Sequence, residues 1–295
     1  MSNNITTTAN MDVAAREIDF VTRFASNWDA MREVLGIMRP IKKTPGTVLT
    51  TKKASVVLAT DEVAEGADIP YSQARVDEVP YGAITVEKFL KGVTLESINK
   101  YGYDVAVAKT DNAFLAELQA KVTGKFYSYL NNEGAQKSTE ATWKKALAMA
   151  KGNVINQFKK LKLTATGVVG FVNVLDLYEY LGDADVTVQT KFGFQYIKDY
   201  LGYNTIILLS DEELQRGRVI ATPIENIDLY YVDPADSDFA KAGLAYTTDG
   251  ETNLIGFHVE GNYKTAVSDS YAIMGMTLFS EYVDGIAVVD VAAGE

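Results

Sequence analysis

His258 is the only histidine in the chain, and so the one side chain whose ordinary pKa suits proton transfer near neutral pH. A serine hydrolase would need a hydroxyl and a carboxylate to converge on this single ring. Phe257 and Val259 flank it in an apolar run, so it reads as a structural histidine satisfied within a strand. Two-histidine metal motifs cannot be made, and the lack of cysteine removes thiolate zinc sites and disulfides. Carboxylates remain as ligands for calcium or magnesium. Asp233, Asp236 and Asp238 stand close together but lack the spacing and following Glu of a calcium-binding loop, and read as solvated loop acids. Gly167-Val168-Val169-Gly170 does not complete the dinucleotide fingerprint, and no Lys-Ser/Thr phosphate cradle is present. No cofactor site is visible. The 39 acids leave a carboxylate pair for glycoside hydrolysis open in space without pointing to one.

The charges that stand out are arranged for contact rather than for catalysis. From residue 36 to 60 the chain carries Arg39, Lys42, Lys43, Lys52 and Lys53 with no acid. From 61 to 78 it carries Asp61, Glu62, Glu65, Asp68, Asp77 and Glu78 against Arg75 alone. Alternation in Thr47–Thr50 and Ser55–Leu58, and again in Ala83–Phe89, predicts two strands around a turn region with Gly66, Pro70 and Pro80. The product is a long hairpin with a basic root and an acidic tip. About ten residues separate the two, roughly 33 Å at strand rise, beyond a Debye length of about 8 Å. Most of these charges are therefore expected to find partners outside their own arm. A tip that fits another copy's root makes a head-to-tail contact, which builds rings when its rotation closes. Glu62, Glu65 and Asp68 are the tip candidates for that contact, and Arg39, Lys42 and Lys43 the candidate partners.

Composition sets the frame for these elements. A chain of 295 residues with 47% hydrophobic content buries one large core or two smaller ones. The start, MSNNITTTANMD, lacks the basic and apolar regions of a secretory signal, and the uncharged run from Leu163 to Leu175 is too short to span a bilayer. A soluble, unexported protein with no membrane partner is expected. A net charge of −11 opposes tight nucleic-acid binding, which depends on Lys and Arg releasing counterions from phosphates.

Phe20, Phe24, Trp28, Met31 and Leu35 form one apolar stripe on a helix that ends at Gly36, an amphipathic N-terminal arm or an ordinary core helix. A second long helix is expected to start at the caps Thr110 and Asp111 and to run to Leu130, about 30 Å. Asn131 to Lys137 has the composition of a loop. A third helix follows Ser138, with Trp143, Leu147, Ala150, Val154, Phe158 and Leu161 on one face. Strands are predicted at Thr166–Val172, Thr205–Leu209, Val219–Thr222, Ile227–Val232, Leu254–Glu260, Ala272–Phe279 and Ile286–Val291. Short helices are predicted at Val174–Leu181 and near Gln195–Leu201. The fold class is α+β, and the stretch from about 138 to 250 reads as an inserted domain.

This order resembles the major capsid proteins of tailed bacteriophages, the Hong Kong ninety-seven type. Val63 to Ser72 resembles the tip of that family's extended loop, and Glu87 to Ile98 its descent into the peripheral domain. Thr110-Asp111 and the helix after them resemble the start of the spine helix, and Arg218 to Ile227 a strand and turn of the axial domain. The resemblance implies an N-terminal arm over 1–36, an extended hairpin loop over 37–90, a peripheral domain with spine helix over 91–137 and 251–295, and an axial α/β domain over 138–250. It implies a structural, non-enzymatic subunit of a virion, assembled in the host cytoplasm, forming pentamers and hexamers of an icosahedral head around double-stranded DNA. Scaffolding, portal and decoration proteins are the further partners it implies. The alternatives are an encapsulin-like shell around protein cargo and, from a different class, a carboxylate-dependent hydrolase.

Overall fold

Helix α1 (Thr8–Leu35) sets Phe20, Val21, Phe24, Trp28, Met31 and Leu35 on one face, and all six are buried. The computed structural model describes residues 8–36, 40–59, 68, 70–131, 135–181, 187–191, 194–235, 239 and 241–292. The Phe20 ring stacks on Phe257 with centroids 4.0 Å apart. Gly36 ends the helix at φ +74°, its N–H donating to the Glu33 carbonyl. A Cβ there would meet Ile224 at 2.8 Å, so conformation and space both require glycine. Of the two readings open for this stripe, partner-binding arm or core helix, the described part packs as a core helix. The apolar stripe is core, because seven turns of helix find their hydrophobic partner in the same chain.

Strand β4 (Glu87–Thr94) leads into α2 (Leu95–Tyr101), whose first turn is capped by the Thr94 hydroxyl accepting from Ser97 N. Gly102 stops α2, and a π-helical stretch, Asp104–Ala108, runs straight into α3 (Lys109–Leu130). Thr110 and Asp111 therefore do not cap α3 as expected. The backbone before them is already helical, so the Thr110 hydroxyl bonds back to Ala106 O and Val107 O at 2.8 and 2.9 Å. Leu115, Leu118, Val122, Phe126 and Leu130 form the buried face of α3, which packs on α1 and on β13 (Val267–Ser280).

Two larger sheets carry the body. The first has the order β1 (Ile41–Lys42), β11 (Ile227–Val232), β13, β12 (Ile255–Asn262), with β4 pairing along the part of β13 that β11 leaves free. The second has seven strands in the order β5 (Gln136–Glu140), β14 (Ala287–Val291), β10 (Arg218–Pro223), β6 (Val168–Asn173), β9 (Thr205–Leu209), β8 (Phe194–Lys198), β7 (Gln189–Lys191). Helix α4 (Trp143–Lys160) covers one face of this sheet, and α5 (Val174–Leu181) packs on β6. Both faces are buried, which explains the continuous apolar runs. Val169, Phe171, Ile220 and Val288 enter the core shared with α1 and α3, while Val168, Val172, Val219, Ala221, Ala287 and Val289 enter the core under α4.

Three sequence expectations change here. The helix expected near Gln195–Leu201 is strand β8 and a turn, with Tyr196 in one core and Ile197 in the other. The helix expected directly after Ser138 starts only at Trp143, because Ser138 lies within β5, which runs parallel to β14; Thr142 is the cap, its side chain accepting from Lys145 N. The domain limits at 138 and 250 do not follow the sheets. β11 pairs with β13, and the C-terminal β14 is inserted between β5 and β10. No helix among the described residues is long and apolar enough to cross a membrane.

Candidate assembly surface

Strands β2 (Val48–Val57) and β3 (Gln73–Ala83) form a separate two-stranded sheet. A register shift between Leu49 and Thr50 accommodates Pro80, which has no N–H to give the ladder, and Gly82, whose φ of +146° suits only glycine. The root is fastened to the body. Gly46 N donates to Ile84 O at 2.8 Å, Ile84 N to Thr47 O at 2.9 Å, and Leu49 and Ile84 are buried. β1 pairs in parallel with β11, and Lys43 N donates to Tyr231 O at 2.7 Å. Lys42 bonds Asp233 at 2.8 Å, and the Lys43 ammonium stands 4.8 Å over the Tyr230 ring. Burial holds the Asp228 carboxyl above its ordinary pKa despite Tyr230 and Lys43 and, with Asp228 and Glu281, pushes the Tyr230 phenol up to about 12. Beneath the root a notch of about 280 Å³ is lined by Leu49, Ala83, Glu87, Lys125 and Met276. Partial burial would raise the Glu87 pKa, but Lys125 and Lys121 outweigh it and hold the carboxyl below its usual range.

Away from the root, the apolar side chains described on the arm are uncovered. Val57 and Leu58 are 66% and 69% exposed and Tyr71 is fully exposed. A two-stranded hairpin alone is marginal in water, and its unpaired edges invite another chain. The register also corrects the expected charge separation. Lys52 stands opposite Glu78 and Lys53 opposite Asp77, so these four positions face one another within one arm. Of the contact candidates, Lys42 and Lys43 sit at the root with in-chain partners. Asp68 is exposed and forms no ion pair among the described residues. Glu62, Glu65 and Arg39 lie outside the described residues.

No protein-family model matches this sequence, and comparison with curated proteins by sequence finds no match. Solved structures do match in shape. A chain of the bacteriophage PhiM1 mature capsid superposes with a TM-score of 0.52 at 8% identity, over 87% of this chain and 85% of that one. The capsid of the cyanophage P-SCSP1u gives 0.51 at 10% identity over 89% and 88%, and the capsid of an empty GTA particle 0.51 at 10% over 92% and 90%. The fold is that of these capsid chains. The α+β class and the Hong Kong ninety-seven type architecture expected from sequence are borne out.

Within this capsid fold, one buried cluster joins the spine helix α3 to its neighbours, and sequence spacing does not reveal it. Asp111 accepts from Arg16 Nε at 2.7 Å and Nη2 at 2.9 Å and pairs with Lys91, while Arg16 Nη2 also donates to Ser270 Oγ at 2.9 Å. Burial alone would raise the Asp111 pKa, but Arg16 and Lys91 outweigh it and hold the carboxyl below its usual value. A cleft of about 610 Å³ opens beside the cluster, lined by Arg16, Asp19, Arg23, Tyr103 and Asp111 among others. Arg16 lies 95 positions from Asp111, so only the tertiary fold brings them together. His258 Nδ1 lies 3.3 Å from Glu17 Oε1, and that oxygen also accepts from Val259 N at 2.6 Å. Glu17 Oε2 accepts from the Thr247 hydroxyl, so this carboxylate ties α1 to β12. No hydrogen bond joins His258 to a serine or threonine hydroxyl, and no group of three or more His, Cys, Asp or Glu is placed to hold a metal, among the described residues.

Proposed function

We propose that the chain is a major capsid subunit that assembles through pentamers and hexamers into an icosahedral phage head enclosing double-stranded DNA. The observation that carries this reading is the projecting β2–β3 arm, held firmly at Leu49 and Ile84 and left with Val57, Leu58 and Tyr71 uncovered. A stable monomer gains nothing from such an arm; laid on a neighbouring copy, it buries those side chains at every repeat of a closed lattice. The shared fold with tailed-phage capsid chains supports the same reading. The unit built on the seven-stranded sheet would gather at the capsomer axis. The arm's acidic tip, Glu62, Glu65 and Asp68, would meet cations of a neighbour, with Arg39, Lys42 and Lys43 as candidates. Lys42 retains 54% side-chain exposure beside Asp233 and could be shared with such a tip. Assembly would take place in the host cytoplasm with scaffolding, portal and decoration proteins as partners, and the subunit would act without catalysis. Light scattering and negative-stain microscopy of the purified full chain, with and without a scaffolding partner, test the proposal. Closed particles or capsomers are the expected result, and a strictly monomeric species under every assembly condition overturns it.

A further inference from the structure

An acid-free, lysine-rich stretch of this acidic protein is centred on α4. Residues 141–165 carry Lys144, Lys145, Lys151, Lys159, Lys160 and Lys162 and no acid, in a chain of net charge −11. Lys151 is committed to the Gly202 carbonyl at 2.5 Å. The other five are exposed, and none forms an ion pair or side-chain hydrogen bond among the described residues. Other cations of the fold are held by acids, among them Arg16, Arg23, Arg32, Lys91, Lys121, Lys125, Arg216 and Arg218.

Helix electrostatics explains only half of this pattern. Lys159 and Lys160 occupy the last turn, where the helix dipole favours cations. Lys144 and Lys145 occupy the first turn, where it opposes them, and no acid is there to compensate. Lys144, Lys145, Lys159 and Lys160 share the solvent face, opposite the buried Trp143, Leu147, Val154 and Phe158. Between the two pairs that face carries the small Ala148, Gly152 and Asn156, with the flexible, 43% exposed Met149 beside them, and no acid. The pairs stand about 22 Å apart along the axis. A duplex carries one negative charge per about 1.7 Å and can engage both ends together.

We propose that the lysine face of α4 contacts the phosphate backbone of duplex DNA, without sequence preference. The inference deepens the capsid reading and rests on it: α4 would mark the side of the subunit turned toward the packaged duplex. The test titrates a fluorescent 30-base-pair duplex with unassembled full-length subunit at rising salt, using wild type, K144Q/K145Q and K144Q/K145Q/K159Q/K160Q. With four to five phosphate contacts the log–log salt slope is expected near about −4, and the double variant should lower its magnitude by about 2. The quadruple variant should bind at least about tenfold more weakly at low salt. The double variant should melt no lower than wild type, because it removes cations from a helix N-terminus. A synthetic peptide of residues 59–72 serves as the rival probe. Equal duplex affinity in all three proteins overturns the proposal, as does a face that binds the peptide and not the duplex. Microscopy of the same samples separates the two readings, since duplex binding by the free subunit does not depend on shell formation.

Discussion

Replacing Asp111 by alanine should destabilise the subunit by about 3 kcal/mol, and the figure follows from what the carboxylate leaves behind. Its side chain is 4% exposed, and its partners Arg16 and Lys91 keep 11% and 15%. Removing one member of a buried ion pair strands the other charge and typically costs about 3 to 5 kcal/mol. Here two cations would be stranded, which argues for the upper end. The 610 Å³ cleft beside Arg16 lets water reach them, which argues for the lower. Against a total stability of about 5 to 15 kcal/mol, such a loss is large. Urea unfolding of the unassembled subunit measures it, and Asp111→Asn, which keeps the volume and loses the charge, should fall between alanine and wild type. The pH dependence provides an independent check. The folded-state pKa of Asp111 lies below its unfolded value, so its stabilisation is complete above the ordinary carboxylate pKa and is lost as pH falls through the folded value. Wild type and Asp111→Asn should therefore differ at pH 7 and converge in acid, below about pH 4. A difference under about 1 kcal/mol at pH 7, or one that persists unchanged in acid, would refute the reasoning.

Other residues test other parts of the structure. Phe126 is fully buried against Phe171, so Phe126→Ala should cost about 3 to 5 kcal/mol in denaturant unfolding; an unchanged midpoint would place that face of α3 on the surface. Gly36→Ala should lower the melting temperature, because φ is +74° and the new methyl would meet Ile224 at 2.8 Å; a rise in melting temperature would contradict the positive φ. Glu62→Lys with Glu65→Lys should leave the subunit folded but block shell formation, with partial rescue by high salt, since repulsion repeats at every contact. Normal particles from that pair at low salt would mean that the arm is seated by its apolar residues instead. Val57→Asp with Leu58→Asp should likewise abolish particles while sparing the unassembled subunit's circular dichroism, because both side chains are exposed in one copy. Unaltered assembly would show that this part of the arm stays in solvent.

The elements whose apolar pattern has a single partner are the legible ones. The stripe of α1, the long α3 and the face of α4 each announce themselves at the period of their own secondary structure. The hairpin is legible only in its first strand: the return strand expected at Ala83–Phe89 is β3, Gln73–Ala83, whose acidic, proline-containing run hides the alternation, while Glu87 begins β4, which pairs with β13 instead. The seven-stranded sheet is harder, because helices and a second core cover both faces. Tyr196 and Ile197, one in each core, break the alternation that Gln195 begins, and a short run buried on both sides reads as helix or strand alike. Gln136 to Glu140 is missed for the opposite reason: an edge strand of polar residues carries no hydrophobic signal, and only its parallel pairing with β14 defines it. The return of β14 between β5 and β10 is a long-range choice that no local pattern encodes.

Register decides what the arm's charges mean, and register is the quantity that composition conceals. Counting along the chain separates Lys52 and Lys53 from Asp77 and Glu78 by more than twenty residues, yet the hairpin folds them opposite each other. With those positions opposite each other in the register, and Lys42 and Lys43 set beside Asp233 and Tyr230, the exposed Asp68 is the described tip acid without an ion pair among the described residues. Among the described residues, a group of cations without acid partners lies on α4. Lys42 and Lys43 at the root already have partners in the same chain, whereas the lysines at the two ends of α4 have none among the described residues. The head-to-tail contact proposed above would draw on the uncovered Val57, Leu58 and Tyr71 for its affinity, with charge setting direction and register. That leaves the lysines of α4 available to a polyanion, in a subunit whose net charge would otherwise repel it.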